Sequence, residues 1–156
     1  MAQQKKIYIL AGQTDQPAVE QLKANLTEVG RYHALEFNFV HRDSLRTAQA
    51  HLDEDTQAPA DLVFVGLGLT RSDRSALKRI RDIYNPDLSV DSFSSLRFVQ
   101  QLKARQPNCK ILFFGEIEHC SLTNFLLSQE VNADWFTQTK MISTSLAALW
   151  VKLFLE

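Results

Sequence analysis

Nowhere is this chain apolar for anything near the roughly 20 residues that a membrane-crossing helix needs. Its amino terminus, MAQQKKIYIL, runs almost at once into a strand-like pattern without a signal-peptide cleavage signature. Charge of one sign is missing too. The net charge is −1, so no global field draws the chain to nucleic acid or to a membrane surface. Cysteine is scarce: Cys109 and Cys120 are the only two. They fall at opposite ends of one expected strand, beyond the roughly 7 Å Cα separation a disulfide tolerates. That pattern fits a reducing compartment and predicts a cytoplasmic protein. No G-x-S-x-G elbow, internal repeat, low-complexity tract or linker is present. No constellation of residues supports an enzyme.

What is present is a set of short, wholly apolar runs. DLVFVGLGL, from Asp61 to Leu69, has two companions, KKIYILAG near the start and CKILFFGE after the middle. Continuous apolar runs bounded by turn signals read as strands buried on both faces. Lys6 to Gly12 forms the first, and Lys110 to Gly115 the fourth. Between them, Val19, Leu22, Leu26 and Val29 recur at helical spacing. Pro17 suits the start of that helix, and Gly30 is placed to stop it. Ala34 to His41 alternates, with Leu35, Phe37 and Phe39 on one face, as an edge strand does. Asp43 or Ser44 can cap a second helix with Leu45, Ala48 and Leu52 inward. A short helix from Asp73 to Tyr84 puts Leu77, Ile80 and Ile83 inward, and the pattern breaks at Pro86. The next helix carries Phe93, Leu96, Val99 and Leu102. Ser121 can cap the following one. NADWFTQT reads as the other edge strand. The last helix starts near Ser143 with Leu146, Leu149, Trp150 and Leu153 as its inward stripe.

These 156 residues predict one domain, residues 1–156, with enough chain for a sizeable core. The class is α/β, a three-layer αβα sandwich around a five-stranded parallel sheet. Order 2-1-3-4-5, the flavodoxin-like winding, puts the polar strands at the edges and adds a short helix between strand 3 and helix 3. In such folds ligands meet the carboxyl ends of the strands.

SSLRFVQQLKARQPNCKILFFGE resembles the third helix and fourth strand of the receiver domain of bacterial response regulators, the CheY-like family. SQEVNADWFTQT is similar to the "GADDYLTK" phrase at the receiver's fifth strand. The likeness covers nearly the whole chain. A working receiver needs an acidic pair after strand 1, an acceptor aspartate ending strand 3, a Ser or Thr after strand 4 and a Lys after strand 5. A hard cation wants carboxylate oxygens, and a transferred phosphoryl wants cationic support. The matching positions here hold Ala11 and Gly12, then Gly66, Gly115 and Thr139, with Lys140 one place late. The resemblance is thus to an atypical or pseudo-receiver, a degenerate phosphorylation site on a signalling or adaptor domain. It implies a non-enzymatic domain that works through protein partners and is not phosphorylated by the usual aspartyl route. A close variant is the N-terminal receiver of a larger pilus-assembly or transcription-regulatory protein. The chain stops while still helical at Leu155-Glu156, which fits either a longer protein or a tail residue.

The remaining candidates divide between sites and plainer roles. Gly12, Gly66, Gly68 and Gly115 mark either a ligand concavity or tight turns after buried strands. An FMN or nucleotide ligand is the small-molecule alternative. The Gly12-Gln13-Thr14-Asp15 loop is poorer in Ser, Thr and Gly than a flavin phosphate loop, so no cofactor is expected. Glu116, Glu118, His119 and Cys120 are all metal-ligating types but match no zinc spacing, and no metal is expected. His33, His41 and His51 are scattered surface histidines. The helix TRSDRSALKRIRD shows Arg71, Arg74, Lys78, Arg79 and Arg81 on its outer face, partly offset by Asp73 and Asp82. It is either a solvated face or a dock for an acidic partner or a nucleotide phosphate, with Arg74, Lys78 and Arg81 the candidate contacts. Its short footprint argues against nucleic acid. Val151, Phe154 and Leu155 lie off the last helix's stripe. With Trp150 they suggest an apolar partner surface, where receiver-like proteins dimerise through helix 4, strand 5 and helix 5. The expected assembly is a homodimer.

Overall fold

The computed structural model describes residues 2–82, 87–116 and 119–156. Ile83, Tyr84, Pro86 and Glu118 lie outside the described residues. The strands are β1 (Gln3–Leu10), β2 (Leu35–Arg42), β3 (Leu62–Gly66), β4 (Lys110–Gly115) and β5 (Trp135–Gln138). The helices are α1 (Gln16–Tyr32), α2 (Leu45–Ala50), α3 (Leu52–Asp55), α4 (Arg71–Asp82), α5 (Ser94–Arg105), α6 (Cys120–Leu126) and α7 (Thr144–Trp150). The sheet is parallel throughout, in the order β2-β1-β3-β4-β5. The winding read from the sequence is the one observed, including the extra helix α4 between β3 and α5. Among the described residues no helix is long and apolar enough to cross a membrane.

The two faces of the sheet carry separate cores. Tyr8, Leu10, Val63, Val65, Ile111 and Phe113 pack against buried residues of α2 to α6. Ile7, Ile9, Leu62, Phe64, Leu112 and Phe114 pack against α1 and α7. Alternation along each central strand feeds both cores, which is why the buried stretches Ile7–Leu10, Leu62–Gly66 and Ile111–Gly115 contain no charged residue. Asp61 and Asp134 precede their strands and accept the backbone N–H groups of Lys6 and Ile111, at 2.8 and 2.9 Å. They anchor the amino edge of the sheet. At the end of β2 the Arg42 guanidinium forks onto the buried Asp55 carboxylate, at 2.9 and 2.8 Å. Lys6 donates to the Asp55 and Ala58 carbonyls. These contacts tie α3 beneath the sheet.

Several boundaries differ from expectation. β3 ends at Gly66, because the chain turns through Gly68 at φ 98° toward α4. Gly30 does not stop α1, which continues to Tyr32 before Ala34, at φ 54°, turns the chain into β2. Ser44 caps α2 by accepting the Thr47 N–H at 3.1 Å. At α6 the cap is His119 rather than Ser121, its Nδ1 accepting the Ser121 N–H at 3.2 Å.

The largest correction concerns α7. It starts near Ser143 as expected, with the Ser143 hydroxyl accepting the Leu146 N–H, but the buried residues are Ala147, Trp150, Val151 and Leu155. Leu149 and Leu153 are 40% and 52% exposed. Trp150 belongs to both alternative stripes and decides between them. Its indole meets the Phe64 ring at 5.2 Å between centroids. The chain then passes into a π-helical turn, Val151–Leu155, in which Val151 and Leu155 lie over the core. Trp150 and Val151 are therefore core residues and unavailable to a partner. Phe154 is half-buried and packs against the same core.

Gly30 lies where α1 crosses β2. A Cβ there would stand 2.8 Å from the Leu35 carbonyl oxygen and 2.8 Å from the Phe37 ring. Overpacking of that kind costs about 1–3 kcal/mol, against about 1 kcal/mol of helix propensity gained over glycine. Gly30→Ala is expected to lose on the order of 1 kcal/mol, read as a lower urea midpoint with an unchanged slope.

Candidate functional site

The carboxyl ends of β1, β3 and β4 form the crest of the sheet. Ala11 is fully buried there. Its N–H donates to the Arg42 carbonyl at 3.1 Å, and its carbonyl accepts from His41 Nε2 at 2.8 Å. His41 is thus a crest residue holding backbone, not the scattered surface histidine its sequence position suggests. Gly12 is buried beside the Leu69 and Asp43 backbones. Gly115 faces the Leu67 side chain. Thr139 lies in the 3-10 turn after β5 with its hydroxyl buried and unpartnered among the described residues, and Lys140 is exposed.

Gly66 ends β3, and its surroundings are the unexpected part of the crest. A Cβ at that position would stand 2.8 Å from Asp15 Oδ2, 3.1 Å from the Phe114 ring and 3.2 Å from Ala11 Cβ. The 3-10 turn Gln13–Asp15 folds back so that the Asp15 carboxylate occupies the space a side chain at position 66 would need. The crest is therefore not stripped of acids, as the residues at the strand ends alone imply. One carboxylate arrives from the loop after β1, and Glu116 stands near enough to act on its charge. Burial raises the Asp15 carboxyl above its ordinary value, and Glu116 pushes it the same way. Among the described residues no three of His, Cys, Asp and Glu come together as a metal cage.

The helix α4 walls this crest on one side. Its start is pinned by a reciprocal cap. Thr70 Oγ1 accepts the Asp73 N–H at 3.0 Å, and Asp73 Oδ2 accepts the Thr70 N–H at 3.3 Å. Asp73 Oδ1 also accepts the Ser95 N–H, and the Thr70 and Ser94 hydroxyls meet at 2.7 Å. One carboxylate thus serves the first turns of both α4 and α5. Asp73 is fully buried and so is not on the basic outer face, whereas Asp82 is exposed beside the cations as the sequence suggests. Ala76 and Ile80 are buried with it, while Arg71, Arg74, Lys78, Arg79 and Arg81 are exposed as expected.

Between α4 and the crest lies a cleft of about 450 Å³, lined by residues that include Thr14, Asp15, Leu67, Leu77 and Glu116. Arg74, Lys78 and Arg81 line it too. The cleft thus sets the basic helix beside the strand ends through Asp15, Leu67, Gly68 and Glu116, with Asp82 of the helix also in its wall, while Ala11, Gly12, Gly66, Gly115, Thr139 and Lys140 do not line it. It does not bring in Trp150, Val151 or Phe154, which belong to the opposite side of the molecule's core. Sequence reasoning missed Asp15 and Glu116 as members of one site. Both sit in loops, where hydrophobic periodicity carries no signal.

No protein-family model matches the chain, and no curated protein matches it in sequence. Solved structures do match. A CheY-like response regulator receiver domain protein from Methanospirillum hungatei JF-1 superposes with a TM-score of 0.59 at 13% identity, over 96% of this chain and 92% of its own. The BeF3-activated DrrB receiver domain gives 0.61 at 13% identity, over 98% of each chain. A putative lipoprotein fragment from Peptoclostridium difficile 630 gives 0.55 at 11% identity, over 95% of this chain and 97% of its own. At such identities the likeness is one of fold, and the third match shows the fold in a protein described by another role. The chain has the CheY-like, flavodoxin-like fold over nearly its whole length.

The raised Asp15 carboxyl has a consequence for stability. An acid whose folded value lies above its unfolded one makes the fold most stable where it is protonated. That advantage is lost as pH rises from the ordinary aspartate range through the raised value. Asp15→Asn keeps the shape beside Gly66 without the charge. Its melting temperature is expected to exceed the parent's at pH 7, the two converging below about pH 4, measured by calorimetry across that range.

Proposed function

We propose that this chain is a single receiver-type signalling domain, residues 1–156, which acts through protein contacts and has no catalytic activity of its own. In this reading it is not phosphorylated by the usual aspartyl route. The observation that carries the reading is Gly66. A receiver's acceptor side chain would project from this strand end, and here the residue has no side chain and its space is taken by the Asp15 carboxylate. Ala11 and Gly12 stand where the cation-binding acids would, and Thr139 stands where the lysine would. The same reading covers a domain acting alone and an N-terminal receiver of a larger pilus-assembly or transcription-regulatory protein. The two free cysteines support a reducing compartment, the cytoplasm.

Self-association is the second part of the proposal, through the face of α6, β5 and α7. With Trp150 and Val151 in the core, the exposed apolar residues on or next to those elements are Leu127, Met141, Leu149 and Leu153, each 40% exposed or more. A second copy of this chain is the occupant the receiver likeness implies.

Incubation with acetyl phosphate and magnesium is expected to leave the intact mass unchanged, and an acid-labile phosphoryl adduct would refute the first part. For the second, Leu153→Glu should shift sedimentation toward monomer with little change in melting, since Leu153 is already half exposed. An unchanged sedimentation coefficient removes the dimer.

A further inference from the structure

The cleft beneath α4 has walls of unlike chemistry. Arg74, Lys78 and Arg81 follow one another at steps of four and three residues, which sets them on one helix face over roughly 10 Å. All three line the cleft. Arg74 donates to the Gly68 carbonyl at 3.1 Å. Among the described residues, none of the three has a carboxylate within ion-pair distance. Three like charges along one face repel one another. Asp82, exposed at the end of the same helix, also lines the cleft and is the one carboxylate of α4 beside them. Leu67 and Leu77 supply apolar surface between. Across from the cations stand Thr14, Asp15 and Glu116, acceptors suited to hydroxyl or amino donors.

We propose that this cleft binds a nucleoside phosphate. Its phosphate lies along Arg74, Lys78 and Arg81, its ring lies against Leu67 and Leu77, and its hydroxyl or amino groups donate to Asp15 and Glu116. Each part of such a molecule meets the group that desolvates it least. The place is the carboxyl end of a parallel sheet, where α/β folds take ligands. The volume, about 450 Å³, falls within the roughly 300–1,000 Å³ of small-molecule sites. An acidic peptide fits less well. It would satisfy the cations but set its own carboxylates against Asp15 and Glu116 in a concave site rather than along an open groove. The inference rests on the cleft and not on the loss of phosphoryl transfer, so the mass experiment above and the one below can fail separately.

The test uses the full chain in low salt with EDTA, titrated by calorimetry with GDP, GMP, ADP and AMP. Guanosine, inorganic phosphate and pyrophosphate serve as controls. At least one nucleotide is expected to bind more tightly than pyrophosphate and than the bare nucleoside, with affinity falling as salt rises. Lys78→Gln and Arg81→Gln should each weaken it roughly tenfold, the worth of one charge-assisted contact. Both side chains are exposed, so melting should be unchanged. Asp15→Asn should alter the ranking among the four nucleotides. Four results would overturn the proposal: no nucleotide binding at millimolar concentration, pyrophosphate binding as well as any nucleotide, affinity unchanged in the lysine and arginine variants, or a nucleotide ranking unchanged in Asp15→Asn.

Discussion

The close approach of Asp15 to Gly66 governs the character of this crest. A glycine at the end of the central strand leaves a space the size of a side chain. The loop after β1 fills it with a carboxylate whose Oδ2 would touch a Cβ there at 2.8 Å. Each residue makes the other tenable. Without the glycine the loop could not fold back, and without the loop a buried strand end would lie open beside the Phe114 ring. The carboxylate is held where its charge is disfavoured, an arrangement stability alone does not select.

A second constraint turns that crest into a cleft. The carboxylate of Asp73 caps its own helix and reaches the first turn of the next, so α4 starts over the sheet rather than out in solvent. The buried acid costs desolvation, and two backbone N–H donors, those of Thr70 and Ser95, offset it. With this acid turned inward, Asp82 is the one carboxylate of α4 left beside its cations at the cleft. The basic helix and the loops after the strand ends, separate in sequence, become two walls of one cleft.

Much of the scaffold was legible beforehand. The runs around Ile7–Leu10, Leu62–Gly66 and Lys110–Gly115 admit no other place than the middle of a parallel sheet, and alternation at Phe37 and Phe39 marks an edge. Phase was harder to read. Trp150 fits either stripe of the last helix, and only its contact with Phe64 selects the one that buries Val151 and Leu155. Gly30 carries the signal of a helix stop, yet its missing side chain serves the crossing of α1 over Phe37. The site was half legible. What the strand ends had lost could be read from residue identity. What a loop returned to them, through Asp15 and Glu116, depends on a chain path that no periodicity encodes.

The shared carboxylate has a mechanical corollary. Because Asp73 joins the amino-terminal turns of α4 and α5, a tilt of α4 about its root pulls on the root of α5 as a lever pulls on its pivot. Its far end, carrying Lys78 and Arg81, has the longest swing. A molecule wedged against that end would work the lever with greatest advantage, and the torque would be felt at the root of α5.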